Sequence, residues 1–222
     1  MLLSANIICC FIKLLTDEER KDVCIVDDSL FDRSRSKKVE LFARVFDHCS
    51  MKYRSGFRML TSGWSDGNSY VPLSYSLLSA AGDKNLIWSG RHYDARSLAG
   101  RRHRQSRCKV TEVMVELVHS AQCAGITVEY VLFDSWFSAP KTIITLKMQE
   151  HLDTIAMMKR SKTKYFYQGE KLNVKEIYSR NKKRRGCSRY LLSVSVNIEK
   201  DGEIIPAKLV YVRNKSICKD WS

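Results

Sequence analysis

Residues 23–38, VCIVDDSLFDRSRSKK, decide how this chain is read. Val23, Cys24, Ile25 and Val26 form a short apolar run rich in β-branched side chains, which predicts a buried strand over 23–27. The run leads into two adjacent acids, Asp27 and Asp28, and then into a strongly basic segment. The same grammar returns in residues 127–141, TVEYVLFDSWFSAPK, where a strand-like run over 127–133 closes on Asp134. Open α/β sheets present their working groups at the carboxyl ends of strands. Carboxylates from two such ends supply the oxygen ligands that hard divalent cations prefer. Two such cations can clamp a phosphodiester, one activating the attacking oxygen and one stabilising the leaving oxygen. An Asp after a strand also serves as a turn residue or a helix cap, so each acid has a structural use beside the chemical one.

The surroundings of these acids are basic. The chain has 222 residues, 38 Lys and Arg against 24 Asp and Glu, and a net charge of +14. That imbalance points to a polyanionic partner, nucleic acid or an acidic membrane surface. The excess is clustered in three blocks: RSRSKK with Arg33, Arg35 and Lys37; RRHRQSR with Arg101, Arg102, Arg104 and Arg107; and NKKRR with Lys182, Lys183, Arg184 and Arg185, followed by Arg189. Each block reads as phosphate contact or as a solvated face. Trp136, directly after the second acid block, suits stacking on DNA or packing on strand ends, and Tyr165, Phe166 and Tyr167 suit base stacking or core packing.

Composition narrows the rest. Hydrophobic residues make up 44% and Pro is rare, so a packed core is expected rather than long disordered linkers. Eight Cys are scattered with no CxxC pair, which signals neither a zinc ribbon nor a redox motif and fits a reducing cytosol. His119 and Cys123, one helical turn apart, suit a shared metal or the flank of a helix. The apolar start, MLLSANIICCFIKLL, lacks a basic leader and a small-residue cleavage site and is too short to span a bilayer; a helix is expected over 1–20.

Val39, Phe42, Phe46 and Cys49 recur at helical spacing and predict a helix in SKKVELFARVFDHCSMKY. Residues 57–63 and 69–79 flank Ser65-Asp66-Gly67-Asn68 and predict a hairpin. Residues 82–105 have no clear period and read as an exposed loop. Val110, Val113, Met114, Leu117, Val118 and Ala121 mark a helix ending at Gly125; Ser138 and Pro140 open another through about residue 150. DTIAMMK reads as a buried strand. From residue 161 onward TKYFYQG, KLNVKEIYS, SRYLLSVSVNIE and EIIPAKLVYVRN read as short strands and turns around the loop NKKRRGCSR.

Taken together, IVDDSLFDRSRSKKVEL, GFRMLTSGWSDGNSYVPLSYSLLSA and YVLFDSWFSAPKTI resemble the core of bacterial insertion-sequence transposases of the DDE type, over roughly residues 20–220. The resemblance implies an α/β fold, a ribonuclease-H-like mixed sheet with flanking helices and a β-rich insertion near the C-terminus. It implies a helical remnant over 1–20, an incomplete core over 21–160 and the insertion over 161–222. The family cuts transposon-end DNA and joins the 3′-OH to a target strand, using Mg²⁺ or Mn²⁺ on two Asp and one Glu. By that pattern Asp27 is the first acid, with Asp28 as the alternate register, and Asp134 is the second; both would hold metal.

The expected third acid, on a helix with a Tyr, Arg, Glu, Lys signature, has no counterpart after Val212, and Glu199, Glu203 and Asp220 lie in strand or loop contexts. A fragment cut at both ends, inactive alone and weak in metal binding, is therefore expected. The partners implied are double-stranded DNA and a second copy or a full-length transposase, with no membrane, in a bacterial cytoplasm at the nucleoid. The competing readings are a non-catalytic basic nucleic-acid-binding module and a different ribonuclease-H-like nuclease.

Overall fold

Strand β1 runs Val23–Asp32 in the computed structural model, straight through both acids rather than ending at Asp27. The structure describes residues 1–17, 19–47, 50–88, 91–158, 162–186 and 188–213. β1 is carried beyond its apolar run by its partner β3, Lys52–Ser65. The antiparallel register runs from Val23 opposite Ser65 to Asp32 opposite Gly56, so every backbone group on that edge of β1 finds a ladder position. On its other edge β1 pairs in parallel with β6, Tyr130–Phe133, and there the ladder stops at Val26 opposite Phe133. Parallel β7, Asp153–Ala156, follows β6 through helix α5, Pro140–Gln149. β7 is an edge strand and not the buried strand expected of DTIAMMK: Ile155 is 54% exposed.

β4, Tyr70–Leu78, returns along β3 as the predicted hairpin. Its turn is built by Asp66, whose Oδ1 accepts from the N–H groups of Asn68 at 3.0 Å and Ser69 at 2.6 Å, while Gly67 takes a φ of +91°. The resulting arrangement β4-β3-β1-β6-β7, parallel on one side of β1 and antiparallel on the other, is the ribonuclease-H-like mixed sheet expected from the resemblance.

The segment expected to be helical after β1 is instead strand β2, Phe42–Asp47, paired with Lys52–Gly56 of β3 and with a short β5, Leu86–Trp88. Its composition, Phe-Ala-Arg-Val-Phe, is strand-like, and the spacing of Val39, Phe42 and Phe46 fits a helix only by coincidence. Cys49, the fourth residue of that face, lies outside the described residues. The expected loop over 82–105 contains β5 and helix α3, Leu98–Ser106, capped by the Ser97 hydroxyl accepting from Gly100 N–H at 3.0 Å. Only Gly100 and Ser106 of that helix are buried, so it carries no apolar stripe for a sequence reading to find.

Helix α4, Val110–Cys123, buries the predicted face of Val113, Met114, Leu117, Val118 and Ala121. It ends in a Schellman turn: Gly125 N–H bonds Gln122 O at 2.9 Å and Ile126 N–H bonds Ala121 O at 3.2 Å, with Gly125 at a φ of +82°. Ile126 and Ala121 then join Trp64, Leu73, Ala5 and Ile8 in one buried cluster. Ala5 and Ile8 come from the expected N-terminal helix, which comprises α1, Leu2–Ile7, a π-helical turn, Ile8–Ile12, and α2, Lys13–Leu15.

The chain divides into two compact units, residues 1–137 with 145–157, and 138–144 with the described residues from 158 onward. The second unit holds an antiparallel sheet in the order β11-β10-β8-β9, formed by β8 Lys164–Tyr167, β9 Glu170–Asn173, β10 Tyr190–Lys200 and β11 Glu203–Val212. Part of KLNVKEIYS is not strand: Val174–Arg180 is helix α6, opened by an Asn173–Glu176 capping box. The N-x-x-E spacing was visible in the sequence and outweighs the β-branched Val174 and Ile177.

Candidate active site

Both acids of the sequence reading directly follow the end of the β1–β6 ladder. The last parallel pair is Val26 opposite Phe133, so Asp27 and Asp134 are the next residues in register. Alternation along β1 separates its two acids. Cys24, Val26 and Asp28 share one face, opposite Trp64, Ser62 and Leu60 of β3, all buried. Asp27 points to the other face, is exposed, and accepts the Thr61 hydroxyl only through its backbone oxygen, at 3.2 Å.

Asp28 is nearly enclosed, and its Oδ2 is paired with the guanidinium of Arg58. Arg58 stands on β3 opposite Leu30, diagonal to Asp28 on the same face. Its guanidinium lies 5.8 Å over the ring of Trp136. Burial pushes the Arg58 guanidinium below the ordinary arginine range, and the nearby charge of Asp134 acts in the opposite direction. Arg58 is therefore paired with Asp28 and also feels the charge of Asp134. Sequence reading missed it. The signal was present as an Arg in the inward register of a strand, in line with Leu60, Ser62 and Trp64.

Asp134 follows β6 directly and also shapes the chain: its Oδ1 accepts from Trp136 N–H at 2.8 Å, and its backbone oxygen accepts from Phe137 N–H at 3.4 Å. The structural use of an Asp after a strand is thus present here beside any chemical one. Phe137 is buried against Phe133, whereas Trp136 is 40% exposed.

Like charges at this spot need neutralising. Arg58 does so for one oxygen of Asp28, while Asp28 Oδ1 is buried with no hydrogen-bond partner. Because Asp27 and Asp28 face opposite sides of β1, one or the other, and not both, could join Asp134 as carboxylate donors of the kind a hard cation takes. Among the described residues, no group of three or more His, Cys, Asp or Glu is gathered closely enough to hold a metal ion.

The basic blocks are spread over three places. Arg33, Arg35 and Lys37 are exposed in the loop that leaves β1, with Arg33 stacked 5.7 Å over Phe31. Arg101, Arg102 and Arg104 lie on α3 and Arg107 at its C-terminus. Arg102 bonds Tyr75 O at 3.2 Å and Arg107 pairs with Asp83, whereas Arg101 and Arg104 are exposed one turn apart. Lys182, Lys183, Arg184 and Arg185 occupy a loop of the second unit, where Lys183 lies 4.4 Å over Tyr178. Tyr165 and Tyr167 are buried in that unit's sheet, so base stacking by them is excluded in this fold. No helix is long and apolar enough to cross a membrane among the described residues.

A sequence model of the family described as DDE superfamily endonuclease matches residues 7–198. Among solved structures, the chain is similar to a piggyBac transposase synaptic complex with hairpin DNA at 14% identity and a TM-score of 0.36. That match covers 89% of this chain and 34% of the transposase, so the chain spans about a third of its length. No curated protein matches.

Proposed function

The chain belongs to the DDE superfamily endonucleases, and from that premise we propose that it carries the two-aspartate part of a divalent-metal site of a DNA transposase. The observation that carries this reading is the early end of the β1–β6 ladder, which leaves Asp27 and Asp134 adjacent in register on neighbouring parallel strands. Asp27 and Asp134 would hold the ion, Mg²⁺ or Mn²⁺, with Asp28 as the alternate donor through its unpartnered oxygen. The ion, when bound, supplies an activated water or hydroxyl and charge stabilisation at the phosphodiester. The chain's own groups do the rest. Arg58 holds Asp28 in place and balances the charge of Asp134. The β3 ladder fixes the backbone of Asp27. Trp136 offers an exposed aromatic face beside Asp134, and Arg101 and Arg104 offer cations to a phosphate backbone.

With no third carboxylate beside these among the described residues, strand transfer by residues 1–222 alone is proposed to be weak, and full activity to need a further acid from outside the described residues. The test is a calorimetric Mn²⁺ titration run beside a nicking assay on transposon-end DNA. Binding that disappears in Asp27→Asn and in Asp134→Asn supports the site. Unchanged binding in both variants overturns it. The same gathering of too few acids favours a second reading, a basic nucleic-acid-binding module without catalysis. In that case the duplex is bound equally well with and without Mn²⁺, and the double Asp27→Ala, Asp134→Ala variant binds like the parent.

A further inference from the structure

One cluster on the far end of α4 has no part in this site. His119 and Cys123 lie one turn apart on α4, and the Cys123 Sγ is 3.4 Å from His119 Nε2. The other ring nitrogen, Nδ1, is 3.0 Å from Glu150 Oε2. Glu150 is held from two sides: its backbone oxygen accepts from Gln122 Nε2 at 3.1 Å, and its N–H bonds Leu146 O at 3.1 Å. Its carboxylate is only 8% exposed, whereas the His119 side chain is 62% exposed and Cys123 is open to solvent.

The hydrogen-bond inventory sets the direction of this chain of contacts. An ionised carboxylate only accepts, so Nδ1 carries the ring proton and donates it to Glu150. Nε2 then presents its lone pair to Cys123, whose thiol donates. A cysteine, a histidine and an orienting carboxylate in this order form the arrangement that activates a thiol for nucleophilic attack. We propose that Cys123 is a reactive thiol, activated by His119 and positioned by Glu150, and that it is a site of modification by soft electrophiles and hydroperoxides.

The chemistry balances without further groups. With a hydroperoxide, the Cys123 sulfur attacks the terminal peroxide oxygen as its proton passes to His119 Nε2. The S–O bond forms while the O–O bond breaks, and the leaving alkoxide or hydroxide takes a proton from the imidazolium. The sulfur is oxidised by two electrons to the sulfenic acid and the peroxide is reduced to an alcohol or water. With iodoacetamide, an S–C bond forms, iodide leaves, and His119 holds the proton until solvent takes it. The buried Cys24, by contrast, has no polar partner among the described residues and burial pushes its thiol up to about 12, which makes it an inert internal reference. Cys10 is exposed and outside any such cluster, and serves as the reference for simple accessibility.

The experiment is iodoacetamide labelling of the intact chain, with EDTA present, quantified for each cysteine by peptide mass spectrometry. Near pH 7, Cys123 is expected to react about ten times faster than Cys10, and at about pH 9.5, where hydroxide can take the thiol proton without His119, the ratio should approach about one. His119→Ala should lower the neutral-pH rate at Cys123 to that of Cys10, and Glu150→Gln, which keeps an acceptor for Nδ1 but removes the charge, should lower it part of the way. A ratio that is the same at both pH values reports exposure alone and overturns the proposal. So does a Cys123 rate that His119→Ala leaves unchanged while the circular dichroism spectrum shows the fold intact.

Discussion

The two edges of β1 are built differently. Along β3 the pairing is antiparallel and runs the whole strand, from Val23 to Asp32. Along β6 it is parallel and covers Val23–Val26 alone. The long edge satisfies the backbone and fixes which way each side chain points. The short edge stops at Val26 opposite Phe133, so Asp27 and Asp134 are the first residues beyond the parallel ladder. A strand paired equally on both edges would bury Asp27 in a continuous sheet; a strand unsupported beyond Val26 would let it wander. Rigidity on one edge and an early end on the other are what the proposed site would draw on, since catalytic groups are held best on regular elements and exposed at their ends.

The largest expected effect falls on the short edge. If the proposed metal site is right, Asp27→Asn and Asp134→Asn should each weaken Mn²⁺ binding by at least about 100-fold in a calorimetric titration, because loss of a metal ligand exceeds the usual cost of losing one of its supports. If Asp28→Asn does this and Asp27→Asn does not, the working face of β1 is the one that carries Arg58, and the comparison must be redrawn on that face.

Breaking the support between the edges should come next. Arg58→Met leaves Asp28 enclosed without its cation, and urea unfolding should show a loss of about 3–5 kcal/mol. Adding Asp28→Leu to Arg58→Met removes the stranded charge as well, and should recover most of that loss. A double variant as unstable as the single one would show that Arg58 acts through packing on Trp136 and not through the acids.

The far end of the long edge gives a smaller effect. Asp66 closes the β3–β4 hairpin, and its carboxyl is held below the ordinary range, chiefly by the Ser69 N–H, against an opposing effect of burial. A depressed folded value means its contribution is complete above the ordinary carboxylate value and is lost as pH falls through the depressed one. Asp66→Ala should cost about 1–3 kcal/mol near neutral pH. Asp66→Asn should flatten the acid limb of a melting-temperature profile, and an unchanged acid limb would remove Asp66 from that account.

The smallest effect lies outside the sheet. Arg101→Gln and Arg104→Gln should leave stability alone and each lower the slope of log binding constant against log salt by about 0.9, if each meets one duplex phosphate. Arg102→Gln and Arg107→Gln, whose guanidinium groups are already engaged with Tyr75 O and with Asp83, should change that slope less.

The sequence was most legible where one physical signal acted alone. The α4 stripe, the Asp-Gly hairpin turn and α5 with Pro140 in its first turn appear as read, and the strand read over 127–133 is present in its second half, Tyr130–Phe133. It was least legible where a pattern had two uses. Val39, Phe42 and Phe46 satisfy helical spacing yet belong to the segment that pairs with β3 as β2. Arg58 reads as surface charge until the register turns it inward.

By itself the sequence determined that a basic α/β protein carries acids at the ends of two apolar runs, because composition and short-range pattern reach that far. Only the tertiary structure decided that β1 continues past its acids, that Asp27 and Asp28 face opposite sides, that Arg58 pairs with Asp28, and that Glu150 meets His119. Each of these depends on pairing between residues distant in the chain. In a sheet, a register shift of one residue turns every side chain to the other face, so local pattern leaves that choice to the partner strand.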